Sequence, residues 1–587
     1  MNGTVPQVHH IGDMDCVCPH CHSRSWRDES VNCCASGAIV LPNFPDTPVG
    51  LSEVMHTSHF RSNIRKYNMA LAMASVGHQN ISLPDGMFTL GGKTFHRVGS
   101  LLPDASSPHA FAQIFMLDTE EASDRRISAM GRGAAHDALR PVVLSQLHNW
   151  LMQHNPWVRQ FVSAARSNLP RLVWRSSDDI ATMQMGALVA QPGSKRDIVI
   201  ERQDRSLQFI HDGHALYHPL AYPLLFPFGT PGWHDQLSVR SADFRDERRV
   251  TLTEWGRYYL MHRDNVSHWQ RCERLTMEFF CDVWAQVEAR NAFFHRSPAQ
   301  QAAYRAARVA AVEDQLKSGI PASEIGQPVI RLPSSFVGSA RFYQQLYLDA
   351  MALPKKFGKP DLFLTFTCNP DWPEIRAALP PGSHWRFHSD IIARVFALKM
   401  QALIDDIQSG QIFGPARAYV FRVEWQARGL PHVHMLIILL DKILSGRHID
   451  AVISAELPDA EEDPDLSALV IKHMLHPQCD VNHHHGCRRD KDGKLCDCER
   501  RFPKLLCRET TIIPDGYPLY RRRGRIYVTL PGGRIVTDQW VVPYNAYLLK
   551  KYRCHCRFRP ISISEGATFF RNRFFCFDSR SPYFEWV

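Results

Sequence analysis

The sequence predicts an α+β fold built on a central antiparallel sheet with flanking helices, accompanied by a helical middle region and small cysteine–histidine modules. The first observation behind this prediction is the order of elements between residues 361 and 440, where a strand, a helix and a two-stranded hairpin follow one another. Because this order lacks the strand–helix–strand repeat of a parallel sheet, we expect the strands to pair antiparallel. The second observation is helical periodicity over residues 251–316, and the third is the presence of two groups of clustered cysteines.

Each element of the predicted sheet domain has a local signature. "SARFYQQLYLDAMAL" favours a helix, and "PDLFLTFTCNPDWPEI" favours a strand that stops at Asn369–Pro370. "RAYVFRVEWQ" and "HVHMLIILL" are strands joined by the turn "ARGLP", and a second hairpin is expected around Gly532–Gly533. The segment between these strands repeats apolar residues at helical spacing, namely Ile392, Phe396, Met400, Leu403 and Ile407.

The composition is that of a globular protein with several domains. The chain has 587 residues, 44% hydrophobic and 22% charged, a length that predicts two to four domains. Neither an apolar run long enough for a membrane span nor a secretory signal is present, so we expect an intracellular protein with reduced cysteines. The net charge of +9 suits a nucleic-acid partner, and the lack of a GxxxxGK[ST] loop argues against an ATP-driven motor within the chain.

Shifts in composition and periodicity divide the chain into five expected regions. The fourth region carries the predicted sheet, and a cysteine-rich insertion interrupts it at residues 471–507. The regions are a zinc-binding region (1–45), a mixed N-terminal region (46–245), a helical region (246–330), the sheet domain (331–555) and a divergent tail (556–587).

The first cysteine group has the spacing of a zinc site. Cys18 and Cys21 form a CxxC knuckle, and Cys33 and Cys34 follow after a short loop. A CxxC turn places two thiolates beside one metal, and tetrahedral zinc takes four nitrogen or sulfur ligands. The neighbouring histidines leave the fourth ligand open, and the alternative is a loop of reduced thiols; these histidines are His9, His10, His20 and His22.

The second cysteine group lies in the insertion at residues 471–507. Its expected zinc ligands are His476, Cys479, Cys487 and Cys498, and Cys496 competes with Cys498 for the last place. Loose thiols in a loop are the alternative.

Two histidines at the start of a predicted strand suggest a different kind of metal site. His432 and His434 are two residues apart, so both point to one face of the strand. The hairpin can bring Glu424 to the same face, and Gln426 is the rival third ligand. Two imidazoles and one carboxylate leave positions open on a metal, which suits a catalytic divalent cation better than a closed structural zinc. The alternative is a polar patch on a sheet face.

These motifs resemble a known family. "GLPHVHMLIIL" and "PDLFLTFTCNPDWPEI" together are similar to the Helitron transposon replication-initiator domain, a branch of the HUH endonucleases. The similarity runs with gaps from about residue 9 to His555, and its further motifs are "HPLAYPLLFPFG", "GSARFYQQLYLDAMAL", "RFPK", "DGYPLYRRR" and "WVVPYNAYLLKKYRCH".

The resemblance implies a rolling-circle initiator that nicks single-stranded DNA and transfers the strand. It implies that His432 and His434, with Glu424 or Gln426, hold Mg²⁺ or Mn²⁺ within an HUH-type sheet. A tyrosine would then attack the scissile phosphate and retain the DNA 5′ end as a phosphotyrosine.

The chain departs from the family pattern after "KYRCH". The family places two tyrosines there, with three residues between them on one helical face, whereas this tail contains only Tyr583. The helicase region expected further on is also missing. We therefore expect truncation before the catalytic tyrosines and impaired catalysis, with Tyr547 and Tyr552 as weak substitutes because their five-residue spacing does not share a helical face.

A basic run supplies the expected DNA contacts. Arg521, Arg522, Arg523 and Arg525 lie beside aromatic residues and could contact phosphates, although such a run can also be a solvated face. A DNA substrate implies a nuclear location. The alternative function is a non-catalytic DNA-binding transposon remnant.

Overall fold

The computed structural model describes residues 6–43, 46–73, 139–159, 212–239, 247–306, 332–426, 429–443, 445–476, 500–513 and 518–560, together with a few isolated short segments. Helices and antiparallel strands occur throughout this part of the chain, which confirms a mixed α and β protein. The helices are α1 (Val49–Met55), α2 (Ser58–Leu71), α3 (Pro141–His154), α4 (Tyr217–Ala221), α5 (Leu252–Leu260), α6 (His268–Arg271), α7 (Arg274–Arg296), α8 (Pro298–Ala306), α9 (Ala340–Phe357), α10 (Pro373–Ala378), α11 (Ser389–Gln408), α12 (Gly446–Val452), α13 (Pro464–His473) and α14 (Ala546–Tyr552).

The strands pair in small antiparallel sheets, most of which are two-stranded. They are β1 (Cys16–Val17), β2 (Arg24–Ser25), β3 (Ser75–Gly77), β4 (Phe95–Arg97), β5 (Leu172–Trp174), β6 (Met183–Met185), β7 (Ile198–Glu201), β8 (Leu207–Ile210), β9 (Ser238–Val239), β10 (Arg248–Arg249), β11 (Leu362–Thr367), β12 (Ala416–Trp425), β13 (Pro431–Leu439), β14 (Tyr527–Thr529), β15 (Ile535–Thr537) and β16 (Cys556–Pro560). The last hairpin, β14–β15, turns at Gly532 and Gly533 as expected, and both glycines have positive φ.

The largest described sheet has four antiparallel strands in the order β12–β13–β11–β16. The predicted hairpin forms its β12–β13 half, and β11 pairs with β13 so that Thr367 faces His432 and Thr365 faces His434. β16 completes the other edge beside β11. Residues 556–560 therefore belong to the sheet, although the sequence placed them in a divergent tail.

The sheet buries one face against α11 and α14. Alternate residues of β11 and β13, such as Phe366 and Val433, join a core that includes the apolar stripe of α11. The stripe is buried at Ile392, Phe396, Leu403 and Ile407, as the helical period predicted. Residues on the other face of the sheet point away from this core, and this opposite face carries the two histidines.

A second core lies in the N-terminal half of the described chain. It joins apolar residues of α1–α7 with the loop at residues 21–41, so the predicted zinc-binding, mixed and helical regions pack together. At its centre the rings of Trp269 and Phe279 are 5.0 Å apart in an edge-to-face arrangement.

A buried ion pair fastens the N-terminal segment to the sheet domain. Lys399 on α11 lies 2.7 Å from Glu374 on α10, and both side chains are at most 1% exposed. The Lys399 ammonium also donates to the backbone oxygen of His9, and Glu374 accepts from the amide of Ile11. Removing one partner would leave the other charge buried alone, which is far more costly than losing an exposed pair.

We therefore expect Lys399→Met to lower the free energy of unfolding by about 3–5 kcal/mol. The measurement is urea unfolding followed by tryptophan fluorescence. The control is Lys472→Met, which removes an ion pair with Asp371 whose side chains are about half exposed, and it should cost less than about 1 kcal/mol. The double variant Lys399→Met with Glu374→Leu should recover most of the loss, and equal effects of the two lysine substitutions would contradict this account.

Candidate metal centre

The β12–β13 hairpin brings three metal-ligating side chains together. Glu424 and His432 are direct cross-strand partners, and His434 lies two residues further along β13 on the same face. The Nε2 atoms of His432 and His434 are 2.9 Å apart, and one carboxylate oxygen of Glu424 lies 3.4 and 3.5 Å from them. We call these three residues the His–Glu site. Its side chains are between 9% and 28% exposed, so the site is partly accessible to solvent.

The donor atoms of the His–Glu site fit a divalent cation. All three lie within 4.8 Å of one another, and adjacent ligands of an octahedral ion at about 2.1 Å are about 3 Å apart. Two imidazoles and one carboxylate fill three positions of such an ion, so three positions remain for water and substrate. This geometry could hold a metal ion that keeps open coordination positions.

The charge of the site is set mainly by Glu424. Burial opposes its ionisation, but hydrogen bonds with His432 and His434 hold the pKa of the carboxyl well below its usual range. Glu424 therefore remains a carboxylate, and Arg422 lies 3.8 Å from its other oxygen. An ionised carboxylate is the strongest cation-attracting group in this cluster.

Thr365 supports His434 from the neighbouring strand. Its hydroxyl lies 3.1 Å from Nδ1 of His434, and the Phe363 ring stacks on the imidazole with a centroid separation of 5.2 Å. A hydrogen bond donated by Nδ1 leaves the lone pair of Nε2 directed at the other two ligands.

We expect Thr365→Val to weaken Mn²⁺ binding by about 10–100-fold, since the substitution removes the hydroxyl and nearly preserves the side-chain shape. Isothermal titration of the purified protein with Mn²⁺ measures the affinity. Thr365→Ser retains the hydroxyl and should bind within about threefold of the unaltered protein. Thr367→Val, on the same strand and face, is the control, and a comparable loss there would show that strand packing rather than the hydrogen bond is responsible.

Gln426, the alternative third ligand, occupies a different position. It lies one residue beyond the end of β12 and is exposed. Its backbone closes the turn by bonding to Leu430 and Gly429. Glu424 is thus the carboxylate partner of the two histidines in this structure.

The first cysteine group has the geometry of a tetrahedral zinc site. The sulfur atoms of Cys18 and Cys34 are 3.7 Å apart, and those of Cys21 and Cys33 are 3.5 Å apart. Four thiolates at about 2.3 Å from a tetrahedral ion lie about 3.8 Å from one another. Cys18, Cys21, Cys33 and Cys34 supply four ligands, so a metal ion here does not need the nearby histidines. We call these four residues the four-cysteine cluster.

The thiols of the four-cysteine cluster differ in acidity. Burial raises the pKa of Cys34 and of Cys33. Burial also opposes ionisation of Cys18, but hydrogen bonds from the backbone of Cys21 and His20 lower its pKa to about 7. The cluster could therefore hold a metal ion such as zinc, which binds thiolates. The most acidic thiol, Cys18, would be the first to lose its proton and bind the ion.

Comparison with known proteins places these residues in a family context. Residues 255–437 match the family model described as the Helitron helicase-like domain at N-terminus. The match supports a Helitron-related protein. The matched span begins in α5, ends within β13 and includes all three residues of the His–Glu site. No curated protein matches the chain.

A Helitron domain suggests interaction with DNA. The sequence predicted that the basic run at residues 521–525 makes the DNA contacts. The structure divides it: Arg522 is buried and donates to the backbone oxygens of Ala455 and Asp538, and burial lowers its pKa to about 10. Its guanidinium stabilises the fold through these hydrogen bonds. Because the side chain is buried, the expectation that Arg522 contacts DNA is corrected. Arg521 and Arg523 bond to Glu456, and Arg525 is exposed.

Tyr547 and Tyr552, the expected weak substitutes for the catalytic tyrosines, pack on the face of the sheet opposite the His–Glu site. Tyr552 is 1% exposed, donates a 2.7 Å hydrogen bond to Asp406 and contacts the Phe366 ring within the core under the sheet. Burial and the Asp406 carboxylate raise the pKa of its phenol far above the usual range. Tyr547 packs against the same core. The His–Glu site is on the opposite face, so neither phenol is placed to attack a phosphate there. Tyr583 lies outside the described residues.

The second cysteine group is only partly included in the described residues. His476 Nε2 and Cys498 Sγ are 3.3 Å apart in the interior, and burial lowers the pKa of His476 to about 4, so its imidazole is neutral. Cys479, Cys487 and Cys496 lie outside the described residues. The pair is compatible with the predicted zinc site, which stays a prediction.

Sequence reasoning missed the residues that surround the His–Glu site. One cross-strand row places Arg422, His434, Thr365 and Arg557 side by side on the open face. The alternation of β11 assigned Thr365 to the face away from the core, but only the register identifies it as the partner of His434. Arg557 follows the point at which the sequence resemblance ended.

No helix in the described part of the chain is long and apolar enough to cross a membrane.

Proposed function

We propose that the chain is a Helitron-derived, rolling-circle initiator-like protein that nicks single-stranded DNA and transfers the cut strand. The main support for this proposal is that Glu424, His432 and His434 lie together on the histidine face of the four-stranded sheet. We take this sheet to be of the HUH type. The site takes Mg²⁺ or Mn²⁺, which would polarise the phosphate and neutralise its charge.

The residues around the site suit a phosphodiester. Arg422 and Arg557 flank His434 in one cross-strand row, at distances of about one and two strand spacings, or about 5 and 10 Å. Two guanidinium groups on either side of the opening attract the DNA backbone and hold one phosphate over the histidines. The core closes one face of the sheet and the ligands lie on the other face. The DNA strand would therefore approach the His–Glu site from the histidine face.

The other modules have supporting roles in this proposal. The four-cysteine cluster binds a structural zinc that stabilises the N-terminal core, and the His476–Cys498 pair belongs to a second zinc module in the insertion. Arg525 and the exposed Tyr527 extend the DNA contact by charge and stacking. Because the substrate is DNA, the protein acts in the nucleus.

The test is cleavage of an end-labelled single-stranded oligonucleotide in Mn²⁺, read on a denaturing gel with and without protease. Weak cleavage and a faint protease-sensitive retarded band are expected for the unaltered chain, because its tail lacks the tyrosine pair of the family pattern and catalysis should be impaired. The variant His432→Ala with His434→Ala should lose both. His448→Ala is the matched control, since His448 is exposed on α12, and Ile449 of that helix packs in the core on the opposite face of the sheet. Equal cleavage by all three proteins would reject the His–Glu site as the reaction centre.

The second candidate function is binding of single-stranded DNA without cleavage. The observation that favours it is the packing of Tyr547 and Tyr552 against the core on the face opposite the histidines. Retained binding of the oligonucleotide in a filter assay, without a cut product at any Mn²⁺ concentration, would support this candidate.

A further inference from the structure

The C-terminal end of α13 contacts the histidine face of the sheet. Thr367 faces His432 across β13, and its amide donates to the backbone oxygen of His555, so these three residues form one cross-strand row. The residues on either side of His555 pack in the core, so the His555 side chain points to the histidine face. Its Nδ1 atom donates a 2.9 Å hydrogen bond to the backbone oxygen of His473, the last residue of α13. The end of α13 therefore lies beside His555, two strand spacings, or about 10 Å, from His432.

A stack of aromatic rings follows directly after α13. The amide of His476 donates to the backbone oxygen of Trp540. The Phe502 ring stacks on the His476 imidazole with a centroid separation of 4.2 Å, and the Trp540 ring is nearly parallel to Phe502 at 6.4 Å. His476 comes three residues after His473, and three extended residues span at most about 10 Å. The stack therefore begins within about 10 Å of the point where α13 contacts the histidine face.

Two cationic side chains lie over the rings of this stack. The Nζ atom of Lys504 is 4.9 Å from the centre of the Phe502 ring, and Cζ of Arg534 is 4.2 Å from the centre of the Trp540 ring. All four side chains are half-buried, so each of them also presents surface to solvent. We call Phe502, Lys504, Arg534 and Trp540 the aromatic platform.

The surroundings of the aromatic platform are strongly basic. Burial, followed by the positive charges of Arg522 and Arg557, lowers the pKa of Lys504 below its ordinary value. Lys504 also donates to the backbone oxygen of Arg500, whose side chain is exposed. Arg557 lies in the cross-strand row of His434, so the basic region is continuous with the histidine face. Cations that repel one another are stabilised by a bound anion, and a DNA backbone supplies one at each phosphate.

We infer that the aromatic platform stacks unpaired bases beside the His–Glu site and thereby selects single-stranded over duplex DNA. The inference rests on the proposed function, which supplies the DNA, and it assigns the residues that recognise an unpaired strand. Aromatic rings and arginine planes stack on any base, but a base within a duplex already has both faces covered. Lys504 and Arg534 attract the adjoining phosphates by charge. A strand held at Arg557 on the histidine face continues onto the platform.

The first experiment measures binding by fluorescence anisotropy, with a labelled oligonucleotide of about 15 nucleotides and with a duplex of the same sequence. The unaltered chain should bind the single strand at least about tenfold more tightly than the duplex. The variant Phe502→Leu with Trp540→Leu should bind the single strand at least about tenfold more weakly and the duplex within about twofold, because leucine removes the stacking and keeps the charges. Phe293→Leu, at an exposed phenylalanine on α7, is the matched control and should bind both DNAs normally.

The second experiment alters the DNA and leaves the protein unchanged, so it does not depend on the folding of a variant. An oligonucleotide with abasic sites keeps every phosphate and loses the bases, and it should bind at least about tenfold more weakly than the intact strand. The charges are tested separately with Lys504→Met combined with Arg534→Met. In this variant the slope of log affinity against log salt should fall by about 1.4, since each phosphate contact on a single strand contributes about 0.7.

The outcomes separate this inference from the proposed function. Equal affinity of the unaltered chain for single strand and duplex, or for intact and abasic strands, overturns the role of the aromatic platform. The variant His432→Ala with His434→Ala lacks the proposed reaction centre and should keep the preference for single strands, and loss of the preference there would also overturn it. Platform-dependent binding without cleavage by the unaltered chain rejects the nicking function alone. Cleavage combined with binding that is unchanged in Phe502→Leu with Trp540→Leu rejects this inference alone.

Discussion

Replacing Cys21 with serine is expected to remove one zinc ion per chain and to destabilise the N-terminal core. Cys21 is buried, and its sulfur lies 3.5 Å from that of Cys33 within the four-cysteine cluster. A hydroxyl binds zinc far more weakly than a thiolate, and three remaining ligands leave the tetrahedral site open. Structural zinc contributes roughly 10–16 kcal/mol in isolated zinc-finger peptides, and a fraction of that should appear as lost unfolding free energy here.

Zinc content by mass spectrometry and urea unfolding test the prediction together. The matched control is Cys16→Ser, because Cys16 is half-exposed on β1, only two residues before the four-cysteine cluster, and is not one of its members. It should retain its zinc and unfold at the same urea concentration as the unaltered chain. Unchanged zinc content in Cys21→Ser would mean that the four sulfurs do not form a metal site.

Replacing Glu424 with glutamine is expected to weaken Mn²⁺ binding by about 100-fold or more. The amide keeps an oxygen near His432 and His434 but removes the negative charge, and hard divalent cations depend on carboxylate ligands. The loss should exceed the 10–100-fold range typical of residues that only support a ligand. Cleavage of single-stranded DNA should fall with the metal affinity.

The neighbouring Gln426 provides a direct control for Glu424. Gln426→Ala removes the rival ligand from an exposed turn position, and its Mn²⁺ affinity should stay within about threefold of the unaltered chain. Isothermal titration of both variants decides between the two residues. A larger loss in Gln426→Ala than in Glu424→Gln would reverse the ligand assignment.

The hairpin and its metal ligands could be predicted because they depend on short-range geometry. The two-residue spacing of His432 and His434 sets their common face, and a tight turn places Glu424 opposite them. The apolar period of α11 likewise identified its buried stripe. Predicting these features requires only the residue period of a strand or helix and the short distance that one turn spans.

The unpredicted features depend on contacts between distant parts of the chain. Arg522 looks like one member of a surface run, and its burial becomes evident only when Ala455 and Asp538 enclose it. Tyr552 is held by Asp406, which lies 146 positions earlier. The strand β16 is five residues long, too short for its alternation to identify it, and its role follows from pairing with β11. Local pattern carries no information about such partners.

The pairing of β11 with β16 has a consequence for synthesis of the protein. Phe366 pairs with Cys556, so one edge of β11 stays unpaired until a strand about 190 residues later has been made. At about 5–20 residues per second, translation of that interval takes about 10–40 s. During this time the nascent chain exposes an unpaired, strongly apolar strand edge, which is a template for intermolecular association. Efficient production should therefore depend on a chaperone that shields β11 until the ribosome has released β16.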